Sequence, residues 1–163
     1  MEYLPLIKDI AGALKQRYGT NLLSAVLFGS VARGEADKGS DVDICLIFKD
    51  LPEATHQRTR YATAFEDDLR GKKRLSSSIA EEYYASVSVV EFTADELEVR
   101  TPVLFLDMIE DGIALIDDGT FETKVERLKQ RMVDLGTRRI DLGDGTHTWA
   151  LKKNSRPGEA ISL

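Results

Sequence analysis

Cysteine is almost missing from this chain: Cys45 is the only one in 163 residues, which excludes an internal disulfide. It stands in the hydrophobic run ICLIF, where a buried and inert thiol is expected. No apolar stretch approaches the roughly 20 residues that a membrane-spanning helix needs. The opening MEYLPLIKDI has neither a basic start nor a long apolar segment, so a cytoplasmic setting without a secretion signal is expected. Positive charge is not in excess either. The formal net charge is −6, which argues against a surface built broadly for nucleic-acid backbones. Internal repeats and low-complexity linkers are also lacking. What remains is an ordinary globular composition, 42% hydrophobic and 31% charged, in a chain long enough to bury a core. A single domain over residues 1–163 is expected.

Leu6, Ile7, Ile10, Ala11 and Leu14 recur at helical spacing and predict an amphipathic helix over 4–18, stopped by Gly19. Leu22 to Phe28 reads as a strand entering the turn Gly29-Ser30. Ser30 to Arg33 then suits a brief helix closed by Gly34, and 35–40 a polar loop. Asp41 to Phe48 is strand-like, with Val42, Ile44, Leu46 and Phe48 on one face and Asp43, Cys45 and Ile47 on the other. Both faces turn apolar after Asp43, as in a central strand covered on both sides. Further on, the pattern predicts a helix over 52–70, a basic Ser-rich connection over 71–78 and a Val-rich strand over 85–92. Short helices follow at 95–99 and 103–109, separated by Thr101-Pro102, then a short strand at 113–116. Val125, Leu128, Met132 and Leu135 mark a long helix ended by Gly136. The segments 149–151 and 160–163 are candidate terminal strands around Arg156-Pro157-Gly158. The class is mixed α/β.

Chemistry concentrates in FGSVARGEADKGSDVDICLIF, residues 28–48. A Gly-Ser turn after a strand can lay backbone N–H groups on a phosphate. Asp41 and Asp43, two residues apart at the start of the next strand, project from one face because side chains alternate with period two. Paired hard-oxygen ligands suit Mg²⁺, and Arg33 can add charge-assisted contacts to phosphate. A phosphate cradle beside paired carboxylates describes a metal–nucleotide site. Taken singly these features are commonplace: a Gly-Ser pair is an ordinary turn, Arg33 an ordinary surface arginine. Their specificity lies in joint occurrence between two predicted strands.

Gly29-Ser30, a ten-residue gap and then Asp41-Val42-Asp43 resembles the signature of the DNA polymerase β-type nucleotidyltransferase superfamily. With Ala32-Arg33-Gly34 after the Gly-Ser and Ser40-Asp41 before the last Asp, it is especially similar to the minimal nucleotidyltransferases. A fainter likeness covers residues 102–163, a C-terminal extension of helices and short strands. The resemblance implies a small mixed sheet flanked by helices. It also implies that Gly29 and Ser30 contact the triphosphate of an NTP, with Ser40 among the nucleotide-binding positions, and that Asp41 and Asp43 are catalytic ligands of Mg²⁺. Members often act with a small helical HEPN-domain partner, a ribonuclease toxin that they neutralise by placing adenylate on a tyrosine. The acidic pI near 5.0 suits a basic partner.

Active members carry a third carboxylate in the middle of a later strand, here SVSVVEF. Two alternatives stand. Glu91 supplies it as a third catalytic residue, although it lies near the strand end. Otherwise the third carboxylate is missing, and a gapless comparison puts Ser88 where the family has Asp. Ser86, Ser88 and Val90 share one face, and Val87, Val89 and Glu91 the other. His56, His147 and the cluster Asp107, Glu110 and Asp111 read as surface groups, and Trp149 as a packing anchor. Two functions follow: a Mg²⁺-dependent transferase moving an NMP, expected to be AMP, from an NTP to an acceptor; or a degenerate module that binds nucleotide or partner and acts by sequestration. Nucleic acid is not expected as a direct ligand, and self-association stays open.

Overall fold

A computed structural model describes residues 4–37, 39–71, 87–143, 146–154, 159 and 161. The first helix, α1 (Leu4–Tyr18), buries Leu6, Ile10, Ala13 and Leu14 on the stripe that its periodicity predicts. Strand β1 (Leu22–Phe28) leads straight into the five-residue helix α2 (Gly29–Arg33), which Gly34 closes in the left-handed conformation at φ 72°. Strand β2 (Val42–Phe48) returns antiparallel to β1, and helix α3 (Thr55–Gly71) then carries the chain over one face of the sheet. Strand β3 (Val87–Thr93) therefore pairs parallel to β2, as a helical crossover requires. After α4 (Ala94–Val99) and α5 (Leu104–Asp111), strand β4 (Ile113–Asp117) adds antiparallel to the free edge of β1. The sheet order is β3-β2-β1-β4, a four-stranded mixed sheet flanked by helices. The long helix α6 (Thr120–Leu135) ends at Gly136, and a hairpin of β5 (Arg138–Asp141) and β6 (His147–Ala150) follows.

The period-two reading of β2 holds on both sides. Val42, Ile44, Leu46 and Phe48 join the core under α1 and α3, with Phe65 and Leu69. Cys45 and Ile47 join the opposite core under α5 and α6, with Phe105, Leu106 and Met108. Cys45 is fully buried, and burial pushes its thiol far above the ordinary range, so it is the inert thiol expected. The predicted elements stand within a few residues of the observed ones, with two exceptions. Strand β5, charged and exposed, has no apolar alternation to announce it. The connection predicted over 71–78 and the strand over 160–163 fall almost wholly outside the described residues.

The ends of the elements are tied by polar contacts whose loss should be measurable. The buried Ser24 hydroxyl donates to Asp117 Oδ1 at 2.6 Å, and at the start of α6 the backbone N–H of Phe121 donates to the same oxygen and that of Glu122 to Oδ2, each at 3.0 Å. Burial raises the Asp117 pKa, but these donors outweigh it and hold the carboxyl below its ordinary value. Asp117→Ala strips a helix start of its acceptor and strands a buried hydroxyl, so unfolding by urea should show a loss of about 2–3 kcal/mol.

Thr93 and Glu96 form a reciprocal capping box on α4, and Glu96 also takes a two-pronged bond from Arg58 of α3 at 2.5 and 2.9 Å. The Arg58 bond leads the causes that lower the Glu96 pKa from 4.5 to about 2. The stabilisation is therefore complete above about pH 4.5 and disappears as pH falls toward 2. Because Glu96 is well exposed, solvent screening leaves it worth roughly 1 kcal/mol. Glu96→Gln should flatten that part of an acid-unfolding curve.

Candidate active site

Three strand ends meet at one end of the sheet. Phe28, the last residue of β1, is the register partner of Asp43 in β2, and Asp43 is the register partner of Ser88 in β3. Partners in register share a face, so Asp43 and Ser88 project together on the α5 side of the sheet. Gly29 follows Phe28 at φ 74°, and its backbone closes over the carboxylate of Asp43. A Cβ at position 29 would stand 2.4 Å from Oδ2 and 3.3 Å from Cγ of Asp43. Glycine is required here twice over, for the left-handed backbone and for the close approach.

Asp41 lies two residues before Asp43 and just ahead of β2, exposed. Asp43 is half-buried, and its pKa is raised chiefly by that burial, with the charge of Asp41 adding to it. The Ser88 hydroxyl hydrogen-bonds the Asp43 carboxylate, and this bond and the charge of Arg33 pull the other way. A carboxylate made costlier to ionise by burial and by a neighbouring carboxylate is what a divalent cation relieves. The donors are hard oxygens, which fits Mg²⁺. Among the described residues no group of three or more His, Cys, Asp or Glu gathers at a metal-binding distance. The fit is thus to a cation held by Asp41 and Asp43, with its remaining ligands from elsewhere.

Ser30 is half-buried at the first turn of α2, where backbone N–H groups have no partner within the helix. Arg33 ends α2 with Nε 2.7 Å from Glu35 and one terminal nitrogen 3.5 Å from Asp111 at the end of α5. Both ion pairs are near the surface, where such pairs are weak and open to exchange for a phosphate. Ser40 is engaged in a tight turn: its hydroxyl donates to Asp37 Oδ1 at 2.7 Å and accepts the Asp37 N–H at 2.9 Å. It braces the approach to Asp41 and points at its own loop.

Glu91 does not join the aspartates. Its register partner is Leu46, so it projects on the α3 face with Val87 and Val89, opposite to Asp43. There it accepts a long hydrogen bond from Thr59 at 3.3 Å and lines a groove of about 840 Å³ with Arg58, Phe92, Glu96, Val99 and Val103. That groove is at the far end of β3 and contains neither aspartate. No bulge in β3 reverses the faces, since its register with β2 is unbroken from Val87 to Thr93. Of the two alternatives at the third carboxylate, the described residues match Ser88 opposite Asp43.

The acidic cluster on α5 is likewise not a simple solvated face. Asp107 accepts from Trp149 Nε1 at 2.7 Å and lies 2.8 Å from His147 Nε2, so it holds strand β6 against the helix. Glu110 takes Arg139 of β5 at 2.7 Å, and Asp111 reaches Arg33. His147 is therefore a tether and not a surface group, whereas His56 is exposed as expected. Trp149 packs against the second core, as an anchor should. The spacing of Asp107 and Asp111, four residues apart on a helix, was the available signal that they share a face.

The nucleotidyltransferase domain family model matches residues 7–147, and the chain belongs to that family. A candidate protein adenylyltransferase of Methanocaldococcus jannaschii, MJ1305, is 54% identical over 48 residues, 29% of this chain and 33% of its own length. A second from the same organism, MJ0141, is 28% identical over 91 residues, 50% of this chain and 92% of its own. The chain thus spans only a third of the first relative. Among solved structures, a toxin–antitoxin complex with AMP-PNP matches at TM-score 0.49 and 16% identity, over 80% of this chain and 92% of that one. The tri-AMPylated Shewanella oneidensis HEPN toxin in complex with MNT antitoxin matches at TM-score 0.46 and 16% identity, over 83% and 93%. Among the described residues, no helix is long and apolar enough to cross a membrane.

Proposed function

We propose that this chain transfers AMP from ATP to a protein acceptor, with Mg²⁺ held by Asp41 and Asp43. The observation that carries the reading is the closure of the Gly29 backbone on the Asp43 carboxylate, which sets a phosphate-binding turn directly beside two hard-oxygen ligands. An acceptor hydroxyl oxygen would bond to the α-phosphorus as the bond from that phosphorus to the β-phosphate bridge breaks, releasing pyrophosphate and the hydroxyl proton. A bound Mg²⁺ would offset the negative charge of the phosphates. The protein's own part is positioning: Gly29 and Ser30 offer backbone N–H groups to the triphosphate, Arg33 exchanges Glu35 for a phosphate oxygen, and Ser88 fixes the carboxylate of Asp43. The two relatives described as candidate protein adenylyltransferases support AMP and a protein acceptor. The likeness to minimal nucleotidyltransferases supports a tyrosine of a HEPN-type toxin as that acceptor, and hence an antitoxin role.

Incubation with α-³²P-labelled ATP, Mg²⁺ and a HEPN-domain protein should label the latter, and Asp43→Ala should remove the label. Labelling that survives in the variant would remove Asp43 from the mechanism. A second reading, binding without turnover, is favoured by one observation, the absence of a third acidic or metal-ligating side chain beside Asp41 and Asp43 among the described residues. It predicts Mg²⁺-dependent ATP binding with no label transferred.

A further inference from the structure

Resting on the nucleotide-site reading above, we infer that this site is built for one divalent cation and that Ser88 sets that number. Two-metal phosphoryl-transfer sites share carboxylates between ions roughly 3.5–4 Å apart, and the second ion needs ligands of its own. The position that could supply them from the neighbouring strand is the register partner of Asp43, and that residue is Ser88. The other described residues on that face of β3 are Val90 and Phe92, which pack into the apolar core with Cys45 and Phe105. Glu91, the one carboxylate on β3, faces the opposite side of the sheet.

Among the described residues, Asp111 at the end of α5 faces the Arg33 guanidinium at 3.5 Å, and Glu35, exposed on the loop after α2, pairs with Arg33 until a phosphate displaces it. A serine at position 88 sets a hydroxyl donor beside the Asp43 carboxylate in the register of the two strands, while adding no charge to bind a second ion. Ser88 is thus a limit on metal count. An aspartate there would face Asp43 across neighbouring strands, where two carboxylates can bridge a pair of ions.

The test is equilibrium dialysis of the whole chain against Mn²⁺ with a non-hydrolysable ATP analogue, counting both ions and nucleotides retained per chain. Spin resonance of the retained Mn²⁺ reports whether the ions are coupled in pairs. Wild type and Ser88→Ala should each retain one Mn²⁺ per bound nucleotide, without a coupled signal. Ser88→Asp should retain two, with coupling. Two ions in the wild type would overturn the inference while leaving the nucleotide site intact. One ion in a folded Ser88→Asp protein would overturn the assignment of the count to position 88. No nucleotide retained by the wild type, with or without Mn²⁺, would overturn the nucleotide site itself and the inference with it. Should Ser88→Asp fail to fold, the wild-type count decides.

Discussion

Asp43→Ala is expected to reduce nucleotidyl transfer by roughly a thousandfold, the loss of several kcal/mol of charge stabilisation that a misplaced cation entails. The same position should show the opposite effect on stability. Burial chiefly, and the nearby charge of Asp41 with it, raise the pKa of Asp43. A group whose folded pKa is raised costs stability once pH exceeds that pKa, and costs none below its unfolded value near 4. In metal-free buffer, Asp43→Asn should therefore melt a few degrees higher than wild type at pH 7, with the gain vanishing below about pH 4. A variant that is inactive and also less stable at pH 7 would mean that Asp43 serves the fold more than the site. Differential scanning calorimetry at both pH values, beside the transfer assay, separates these outcomes.

Gly29→Ala should produce the second large effect, through position and not charge. The backbone at residue 29 is left-handed, which costs an alanine on the order of 1 kcal/mol. Its methyl group would stand 2.4 Å from Oδ2 of Asp43, so the carboxylate must turn away. That rotation breaks the bond to Ser88 and moves the cation ligand by an ångström or so, a displacement worth on the order of a hundredfold in rate. Stability should fall by about 1–2 kcal/mol, too little to unfold a domain of this size. The signature is a folded protein with weakened Mg²⁺-dependent nucleotide binding. Ser30→Ala, one residue on, removes a hydroxyl without displacing Asp43 and should be much milder.

How far the sequence disclosed this site depends on how local each feature is. Gly29, Asp41 and Asp43 fall within one strand–turn–strand segment, where period-two alternation and a glycine turn are enough to put them together. The two-sided burial of β2 was legible for the same reason, since its apolar run spans both faces. The third-carboxylate position was not. Alternation separated Ser88 from Glu91, but only the parallel register with β2 says which of them faces Asp43. Asp107 was misread because its partners return from far along the chain: it meets His147 across 40 residues, through a hairpin whose first strand is charged and exposed, whereas Glu110 is exposed as expected. Arg33 and Ser40 were assigned to phosphate and nucleotide by motif alone. The structure adds that Arg33 is shared between Glu35 and Asp111, and that the Ser40 hydroxyl is committed to Asp37.

The site reduces to one claim, that Gly29, Asp41 and Asp43 together form a cation-dependent nucleotide site. Titration calorimetry with ATP addresses it most directly, in Mg²⁺ and in EDTA, on wild type and on Asp41→Ala and Asp43→Ala. Saturable binding by the wild type in Mg²⁺, lost in EDTA and in both variants, is the predicted result. Binding of equal affinity in Mg²⁺ and EDTA, unchanged when either aspartate is removed, would contradict the claim.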